Sequence, residues 1–127
     1  MTPLSAGMDI CASIENALDV EHGNIALIST GLAVAIPPGF EIEIRPRSGL
    51  ASKHGISLIN SPGTIDADYR GEILIAVINH GKKTYTFRRG DRIAQMLVKK
   101  VYQAKLEVVE ELDDTTRSKG GFGHTGL

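Results

Sequence analysis

The sequence predicts an all-β domain, a jelly roll or β-sandwich, followed by a flexible C-terminal arm. Ile, Val and Leu are common, whereas the chain has three Phe, three Tyr and no Trp. Its 14 glycines punctuate the sequence at short intervals, which favours many short strands over a few long helices. At 127 residues it is one domain that buries roughly two-thirds of its unfolded surface. We divide residues 1–127 into a β body (1–112) and a C-terminal arm (113–127).

The clearest strand pattern lies at residues 40–45, where Phe40, Ile42 and Ile44 alternate with charged residues. A period of two predicts a strand with one buried face and one wet face. Residues 48–55 are predicted to hold one helical turn with Ser48 as its N-cap. Further strands are predicted at 25–30, 32–36, 56–59, 69–78, 84–87, 93–98 and 101–109. Residues 105–112 also fit one face of a helix, but a strand is preferred there.

Residues 60–79 are predicted to form a β-hairpin that carries much of the polar chemistry. Pro62 and Gly63 form one turn, Asp66 and its neighbours form a second, and Tyr69 opens the second strand. Both faces of that strand are apolar, so we expect the domain core or a partner subunit to cover each face. A carboxylate, an aromatic ring and free backbone amides on one hairpin can serve as base, platform and donors.

Composition excludes several classes of function. A net charge of −1 gives no basis for a nucleic-acid groove or an anionic membrane surface. The single Cys11 excludes an internal disulfide and a cysteine-based zinc site, and its apolar neighbours predict a core position. No apolar run approaches the roughly 20 residues of a membrane span, and the N-terminus lacks a signal-peptide core. We therefore expect a soluble, cytoplasmic protein that binds neither nucleic acid nor membrane.

The C-terminal arm contains a deceptive motif. Residues 121–126 match G-x-G-x-x-G, but a dinucleotide site needs a strand before this motif and a helix after it. Here only Leu127 follows. Phe122 lies between glycines, near Arg117 and Lys119, in an otherwise polar segment. The residues alone leave two interpretations open: a tail without a role, or a ring that covers a bound ligand.

Two further segments carry candidate anion-binding side chains. Arg47 and Ser48 precede a predicted helix N-terminus, where guanidinium, hydroxyl and backbone N–H groups together bind phosphate oxygens well. An ordinary turn with a surface arginine explains the same residues. Gln95 lies inside an apolar strand, and a half-buried amide needs a partner. With Asp66 as an isolated carboxylate, this inventory suits a nucleoside polyphosphate and a bound metal.

Five segments resemble, in order and spacing, the five motifs of the trimeric dUTPases (deoxyuridine triphosphate nucleotidohydrolases). They are AGMDICA at 6–12, RPRSGLASKHGI at 45–56, NSPGTIDADYRG at 60–71, RRGDRIAQMLV at 88–98 and RSKGGFGHTG at 117–126. The resemblance implies a jelly-roll homotrimer with active sites shared between subunits. It also implies Mg²⁺-assisted hydrolysis of dUTP to dUMP and pyrophosphate, which keeps uracil out of DNA and supplies dUMP for thymidylate synthesis.

The resemblance further implies a role for each matching residue. Asp66 is the base that activates a water, and Tyr69 lies against the deoxyribose. Asp9 acts on Mg²⁺ through water, while the substrate phosphates hold most of the ion. The remaining roles are uracil recognition by backbone groups around Asn60, Gly63 and Ile65, phosphate binding by Arg47, Ser48, Gln95 and Arg117, and stacking over the uracil by Phe122. Gly49, Thr64 and Gly123 are further substrate-binding residues.

The last motif departs from the family pattern in two places. Ser118 stands where the family usually has Gly, and His124 where it has a small hydroxyl residue. Both positions bear on closure of the lid rather than on the reaction. The family also usually has a strand before its first motif, whereas only residues 1–5 precede that motif here.

Two other functions are compatible with this fold. The deoxycytidine triphosphate deaminases share it, but a deaminase needs a carboxylate near the base, and Ala76 stands where we expect that Glu. A non-catalytic trimeric jelly roll that binds nucleotide or protein predicts a lost base or lid ring, whereas Asp66 and Phe122 are both present. Hydrolysis of dUTP is therefore the preferred interpretation.

Overall fold

The computed structural model describes residues 2, 4–119 and 121, and within them the chain is built mainly from short β-strands. One helix, α1, follows the fourth strand. The elements are β1 Met8–Cys11, β2 Leu18–Val20, β3 Ile25–Ser29, β4 Phe40–Pro46, α1 Ser48–His54, β5 Ile56–Leu58, β6 Gly63–Ile65, β7 Leu74–Asn79, β8 Tyr85–Phe87 and β9 Arg92–Lys100. No helix in these residues is long and apolar enough to span a membrane.

The strands form three antiparallel sheets in the described part of the chain. The orders are β1-β9-β4-β6, β3-β7-β5 and β2-β8. Side chains from all three sheets meet in one apolar core, which includes Ile44 from the first sheet, Val77 from the second and Phe87 from the third. The predicted all-β sandwich is confirmed. The strand β2 was not predicted, because three residues are too few to show a period.

The alternation in β4 is confirmed, but its outer face is less wet than predicted. Ile42 and Ile44 are buried in the core, and Glu43 on the opposite face is only 8% exposed. Its Oε2 lies 2.8 Å from Arg45 Nη2 and 3.0 Å from Lys99 Nζ. Hydrogen bonds from Arg45 and then Lys99 lower the pKa of Glu43, so the carboxylate is held in its charged form.

The predicted hairpin at 60–79 is wrong as a paired unit. The strand β6 pairs with β4, with Ile65 opposite Ile42 and Gly63 opposite Ile44. The strand β7 pairs instead with β3 and β5. Residues 66–73, which we call the crossing loop, therefore pass from one sheet to another, and the strand predicted to open at Tyr69 begins at Leu74. Local turn signals cannot specify which distant strand becomes the partner.

Two predicted strands are absent from the described residues. After β3, Gly31 has φ +66° and turns the chain, and residues 32–36 form no strand. Residues 101–109 also form no strand, because beyond the bond from Val101 N to Gly39 O (2.9 Å) no neighbouring strand pairs with them. Tyr102 and Val108 are accordingly almost fully exposed.

Two local predictions need correction. The N-cap of α1 is Arg47, which has extended φ and ψ, and Ser48 is the first residue of the helix. No side chain caps the helix N-terminus with a hydrogen bond. Cys11 is exposed rather than in the core. The register of β1 against β9 shifts between Ile10 and Cys11, and this irregularity ends the simple alternation of buried and exposed side chains.

One face of the β3-β7-β5 sheet is buried and the other is open. Ile75 and Val77 face the core, as the sequence predicts. On the opposite face, Leu27 is 64% exposed and Leu74 is 49% exposed. Ala76 lies opposite Leu27 in the strand register, so these apolar residues are neighbours. An exposed apolar surface of this kind is typical of a protein interface.

Candidate active site

Asp9 is the centre of a polar cluster on the outer face of the four-stranded sheet. Its Oδ1 lies 3.1 Å from Arg47 Nε and 3.3 Å from Gln95 Nε2. Its Oδ2 lies 3.4 Å from Arg92 Nη1. Arg47 also donates from Nη1 to the Arg92 carbonyl oxygen, at 3.2 Å. Two of the predicted site residues, Arg47 and Gln95, therefore both contact a third, Asp9.

The strand register produces this cluster. Asp9 in β1 lies directly opposite Gln95 in β9, and Gln95 lies opposite Arg45 in β4. Arg47 follows β4 and caps α1, which turns its side chain back toward Asp9. The predicted partner for the half-buried Gln95 amide is thus a carboxylate. Arg92 was not among the predicted site residues, although its place in the charged turn before Gln95 was a signal for it.

Charge holds Asp9 in its ionised form. Partial burial raises the pKa of Asp9, but the hydrogen bond from Gln95 and the guanidinium of Arg47 outweigh burial, and Arg92 adds to them. The pKa of Asp9 is lowered as a result. The two guanidinium groups and the amide that now donate to the Asp9 carboxylate could donate to an anionic ligand instead.

The cluster offers little protein ligation for a metal. Within residues 2, 4–119 and 121, no three His, Cys, Asp or Glu side chains come close enough to form a metal site. Asp9 supplies one carboxylate. Mg²⁺ commonly takes one or two protein carboxylates, several waters and substrate phosphates. The donor set therefore fits a magnesium ion that arrives with a polyphosphate, and does not form a protein-only cage.

A small cavity, lined by polar as well as apolar groups, lies between β6 and β7. Its volume is about 40 Å³, and four predicted site residues line it: Asn60, Gly63, Thr64 and Ile65. Ala76 and its neighbours in β7 close the opposite side. None of its lining side chains is ionisable. A Cβ at Gly63 would lie 3.2 Å from Asn60 Nδ2, so glycine keeps this wall open.

Asp66 begins the crossing loop and is exposed. It lines a wider cleft of about 660 Å³, together with Phe40 and Glu41 of β4. The backbone N–H of Tyr69 donates to the Asp66 carbonyl oxygen at 3.1 Å, which closes a turn over Asp68. The Tyr69 hydroxyl donates to the Glu72 carbonyl oxygen at 2.9 Å. Asp66 and Tyr69 are therefore held on one short, internally bonded segment.

A single chain keeps Asp66 apart from the Asp9 cluster. Because Ile65 pairs with Ile42, Asp66 is level with Glu41 at the start of β4. Arg47 follows the other end of the same strand. Six residues of extended chain separate these levels, which corresponds to about 20 Å. At this separation of backbone levels, the Asp66 carboxylate lies far from the Asp9 cluster of the same chain.

The C-terminal arm supplies the remaining predicted residues. Arg117 lies within the residues that the structure describes, and it is exposed. Ser118 has φ +42°, a left-handed conformation, and its N–H donates to Thr115 Oγ1 at 2.9 Å. The predicted lid residues Phe122 and Gly123 lie outside the described residues, as does His124.

Comparison with known proteins connects these features. The sequence profile of the dUTPase family matches residues 1–126. A deoxyuridine 5'-triphosphate nucleotidohydrolase from Maricaulis maris is 54% identical over 127 residues, covering 98% of this chain and 84% of the relative. One from Syntrophotalea carbinolica is also 54% identical, covering 100% of this chain and 86% of the relative.

Solved structures agree with these sequence matches. Staphylococcus bacteriophage 80alpha dUTPase with dUPNHPP superposes with a TM-score of 0.88 at 26% identity, covering 100% of this chain and 89% of that chain. A mutant dUTPase from phage phi11 of S. aureus, described with a structural Mg(II) ion, has a TM-score of 0.78 at 27% identity, covering 88% of both chains. Since sequence profile, relatives and fold agree over nearly its whole length, the chain belongs to the dUTPase family.

Proposed function

We propose that this protein hydrolyses dUTP to dUMP and pyrophosphate by attack of a water on the α-phosphorus. The main support for this activity is family membership over residues 1–126. The positions of the side chains support the roles proposed below. The reaction keeps uracil out of DNA and supplies dUMP for thymidylate synthesis.

Asp66 is the proposed base. It is exposed at the rim of the wide cleft, so a water can reach its carboxylate. In phosphoryl transfer, positioning and charge stabilisation lower most of the barrier, and one carboxylate suffices to orient and deprotonate the water. Asp68 lies two residues away in the turn and has no role in this proposal.

The Asp9 cluster is the proposed phosphate-binding site. Arg47 and Gln95 already point hydrogen-bond donors at an anion, the Asp9 carboxylate. Phosphate oxygens can take the same donors, and a guanidinium binds them with two parallel bonds. The exposed residues Ser48 and Gly49, in the first turn of α1, add a hydroxyl and backbone N–H groups. Arg117 joins the phosphates from the C-terminal arm.

Mg²⁺ is the proposed cofactor, with Asp9 acting on it through water. When bound, the ion neutralises charge on the phosphates as it develops in the reaction. The ionised state of Asp9 suits this role, because its pKa is lowered by Gln95 and the two guanidinium groups despite partial burial. Release of Asp9 from Arg47 would then accompany the transfer of Arg47 to the phosphates.

The proposed uracil pocket is the cavity between β6 and β7. Backbone groups around Asn60, Gly63, Thr64 and Ile65, which line this cavity, read the edge of the base in this proposal, and a close fit around uracil would leave no room for the methyl group of thymine. Because its lining side chains are not ionisable, the cavity lacks the carboxylate that a deaminase needs. The Tyr69 ring lies against the deoxyribose and leaves no room for a 2′-hydroxyl.

The working unit is proposed to be a homotrimer with shared active sites. The separation of about 20 Å between Asp66 and Arg47 along β4 supports this assembly, because a second chain must supply one of the two groups. The exposed apolar face around Leu27 and Leu74 offers a surface for subunit contact. The arm at 113–127 then reaches a neighbouring subunit, where Phe122 and Gly123 cover the uracil.

No interaction with nucleic acid or membrane is part of this proposal, and the cytoplasm is the expected compartment. A non-catalytic, nucleotide-binding trimer is the second candidate. It shares the fold and the phosphate-binding cluster but lacks turnover, and the presence of Asp66 favours hydrolysis. An activity measurement therefore separates them.

The test is a pyrophosphate-release assay with dUTP, dTTP, UTP and dCTP, with and without Mg²⁺. We expect turnover of dUTP alone and a loss of at least about 100-fold in kcat for Asp66→Asn, since a general base contributes about 10² to 10⁴. Asp68→Asn, in the same turn, is the matched control and should turn over normally. Equal turnover by Asp66→Asn and the wild type contradicts the mechanism, and ammonia release from dCTP indicates a deaminase.

A further inference from the structure

Glu72 ties the crossing loop to the end of β3. Its Oε1 accepts hydrogen bonds from the Ser29 hydroxyl, from Gly31 N at 2.8 Å and from Thr30 N at 3.2 Å. Successive backbone N–H groups of this kind form an anion-binding concavity. Here a carboxylate of the same chain fills it. The bond from Ser29 and then that from the Gly31 amide lower the pKa of Glu72, so the carboxylate is ionised at neutral pH.

The backbone beside Glu72 is held independently. Thr30 Oγ1 donates to the Ile73 carbonyl oxygen at 2.6 Å, and Ile73 N donates to the Leu32 carbonyl oxygen at 2.8 Å. These bonds extend the contact of β3 with β7 past the last paired residues. We expect these bonds to keep β3 and β7 together in Glu72→Ala, while the loop residues before Ile73 lose the restraint that the side chain supplies. A change in the reaction can then be distinguished from unfolding.

From Glu72 the restraint continues to the two groups that the proposed reaction uses. The Tyr69 hydroxyl donates to the Glu72 carbonyl oxygen, and Tyr69 N donates to the Asp66 carbonyl oxygen. A Cβ at Gly71 would overlap the Tyr69 hydroxyl, so only glycine lets the ring lie across the loop. A continuous series of hydrogen bonds thus joins the end of β3 to Asp66.

We propose that Glu72 is a positioning residue for dUTP hydrolysis, which sets the placement of Tyr69 and Asp66 through the crossing loop. The inference rests on the proposed function. Glu72 then affects the rate of hydrolysis by placing Asp66, and it affects the preference for deoxyribose over ribose by placing Tyr69. A purely structural carboxylate affects stability and leaves the preference between dUTP and UTP unchanged.

The test compares kcat/KM for dUTP and for UTP in Glu72→Ala, Glu72→Gln and the control Asp19→Ala. Asp19 also accepts a hydroxyl hydrogen bond, from Thr86 between β2 and β8, and has no bond to the crossing loop. We expect Glu72→Ala to lower kcat for dUTP and the dUTP-to-UTP preference by about tenfold or more, since small displacements of reacting groups are costly. Asp19→Ala should change neither quantity.

The conservative variant sharpens the test. All three donors reach one oxygen of Glu72, and a glutamine can present its own oxygen to them. Glu72→Gln should therefore recover most of the preference for dUTP over UTP. If Glu72→Ala does not fold, Ser29→Ala removes one of the three donors and should lower the preference about twofold to fivefold, in keeping with the net contribution of one typical hydrogen bond.

Two results overturn the inference while leaving the proposed function intact. One is a folded Glu72→Ala protein whose preference equals that of the wild type. The other is an equal loss of preference in Asp19→Ala. Absence of dUTP turnover in the wild-type protein overturns the proposed function itself, and the inference with it.

Discussion

Ser118, one of the two departures in the last motif, has an unusual backbone angle φ. Its φ of +42° lies in the left-handed region, where a Cβ costs about 1–2 kcal/mol. Glycine adopts this conformation without that cost, which agrees with the Gly that the resemblance leads us to expect at this position. The residue lies beside Arg117 in the arm, so its strain affects the segment proposed to close over the substrate.

We expect the arm to keep this φ when it closes over the substrate, so Ser118→Gly should lower KM for dUTP by a factor of about two to five and leave kcat unchanged. Glycine relieves about 1–2 kcal/mol of strain and adds an entropy cost of about 0.5–1 kcal/mol. The net gain is therefore about 0.5–1 kcal/mol, which corresponds to this change in KM. Steady-state kinetics measure both constants. Ser118→Ala keeps the Cβ and is the matched control. A KM for Ser118→Gly equal to or above that of the wild type would contradict this account of the arm.

Three carboxylates make stability depend on pH. The pKa values of Asp9, Glu43 and Glu72 are lowered in the folded protein. A lowered pKa means that the unfolded chain binds protons more readily, so these groups stabilise the fold fully above about pH 5. That stabilisation is lost as the pH falls below about 4 and through the folded pKa values.

Thermal unfolding between pH 7 and pH 3 measures this effect. We expect Tm to be nearly constant from pH 7 to about 5 and to fall steeply below about 4. Glu43→Gln should be less stable at pH 7 and show a shallower fall, because one of the titrating groups is gone. An equally steep fall in Glu43→Gln would show that Glu43 is not one of the groups responsible.

At the scale of elements, the sequence predicted local features better than pairing. The alternation in β4 and the turn after Asp66 depend on neighbouring residues, and both were predictable. The turn predicted at Pro62 and Gly63 is a bend that ends at Pro62, and Gly63 is the first residue of β6. The partners of β6 and β7 depend on contacts between distant segments, so the predicted hairpin was wrong. The Glu72 contacts with Ser29 and Gly31 join residues far apart in sequence, and no local motif indicated them.

Packing at the end of α1 gives a test of the fold at the same scale. A Cβ at Gly81 would overlap the carbonyl oxygen of His54, and Gly55, with φ +70°, ends the helix beside it. We expect Gly81→Ala to lower the free energy of unfolding by at least about 2 kcal/mol, since the backbone must shift.

Denaturant unfolding measures this loss. Gly49→Ala is the control, because a Cβ at Gly49 meets no atom within 4 Å and alanine favours the helix. Its stability should equal or exceed that of the wild type. A Gly81→Ala protein as stable as Gly49→Ala would show that the close approach of Gly81 to α1 is not a constraint on the fold.

At the scale of the molecule, the sequence indicated the parts of the site but not their arrangement. Motif order predicted that Asp9, Arg47 and Gln95 belong together, and their contacts agree. The distance from Asp66 to this cluster depends on the register of β6 against β4, which no sequence pattern shows. The register therefore gives physical support to the sharing of active sites between subunits that the resemblance implied.

The central claim is that Asp66 of one subunit acts on a phosphate held by Arg47 of another. Mixed trimers test it most directly, when Asp66→Asn and Arg47→Ala chains are unfolded together in equal amounts and refolded. Each variant alone should be nearly inactive, while random mixing of subunits should restore about a quarter of wild-type turnover, since a shared site is intact when both contributing chains supply their wild-type group. Recovery no greater than the sum of the separate variants, in trimers shown to contain both chains, would contradict the claim.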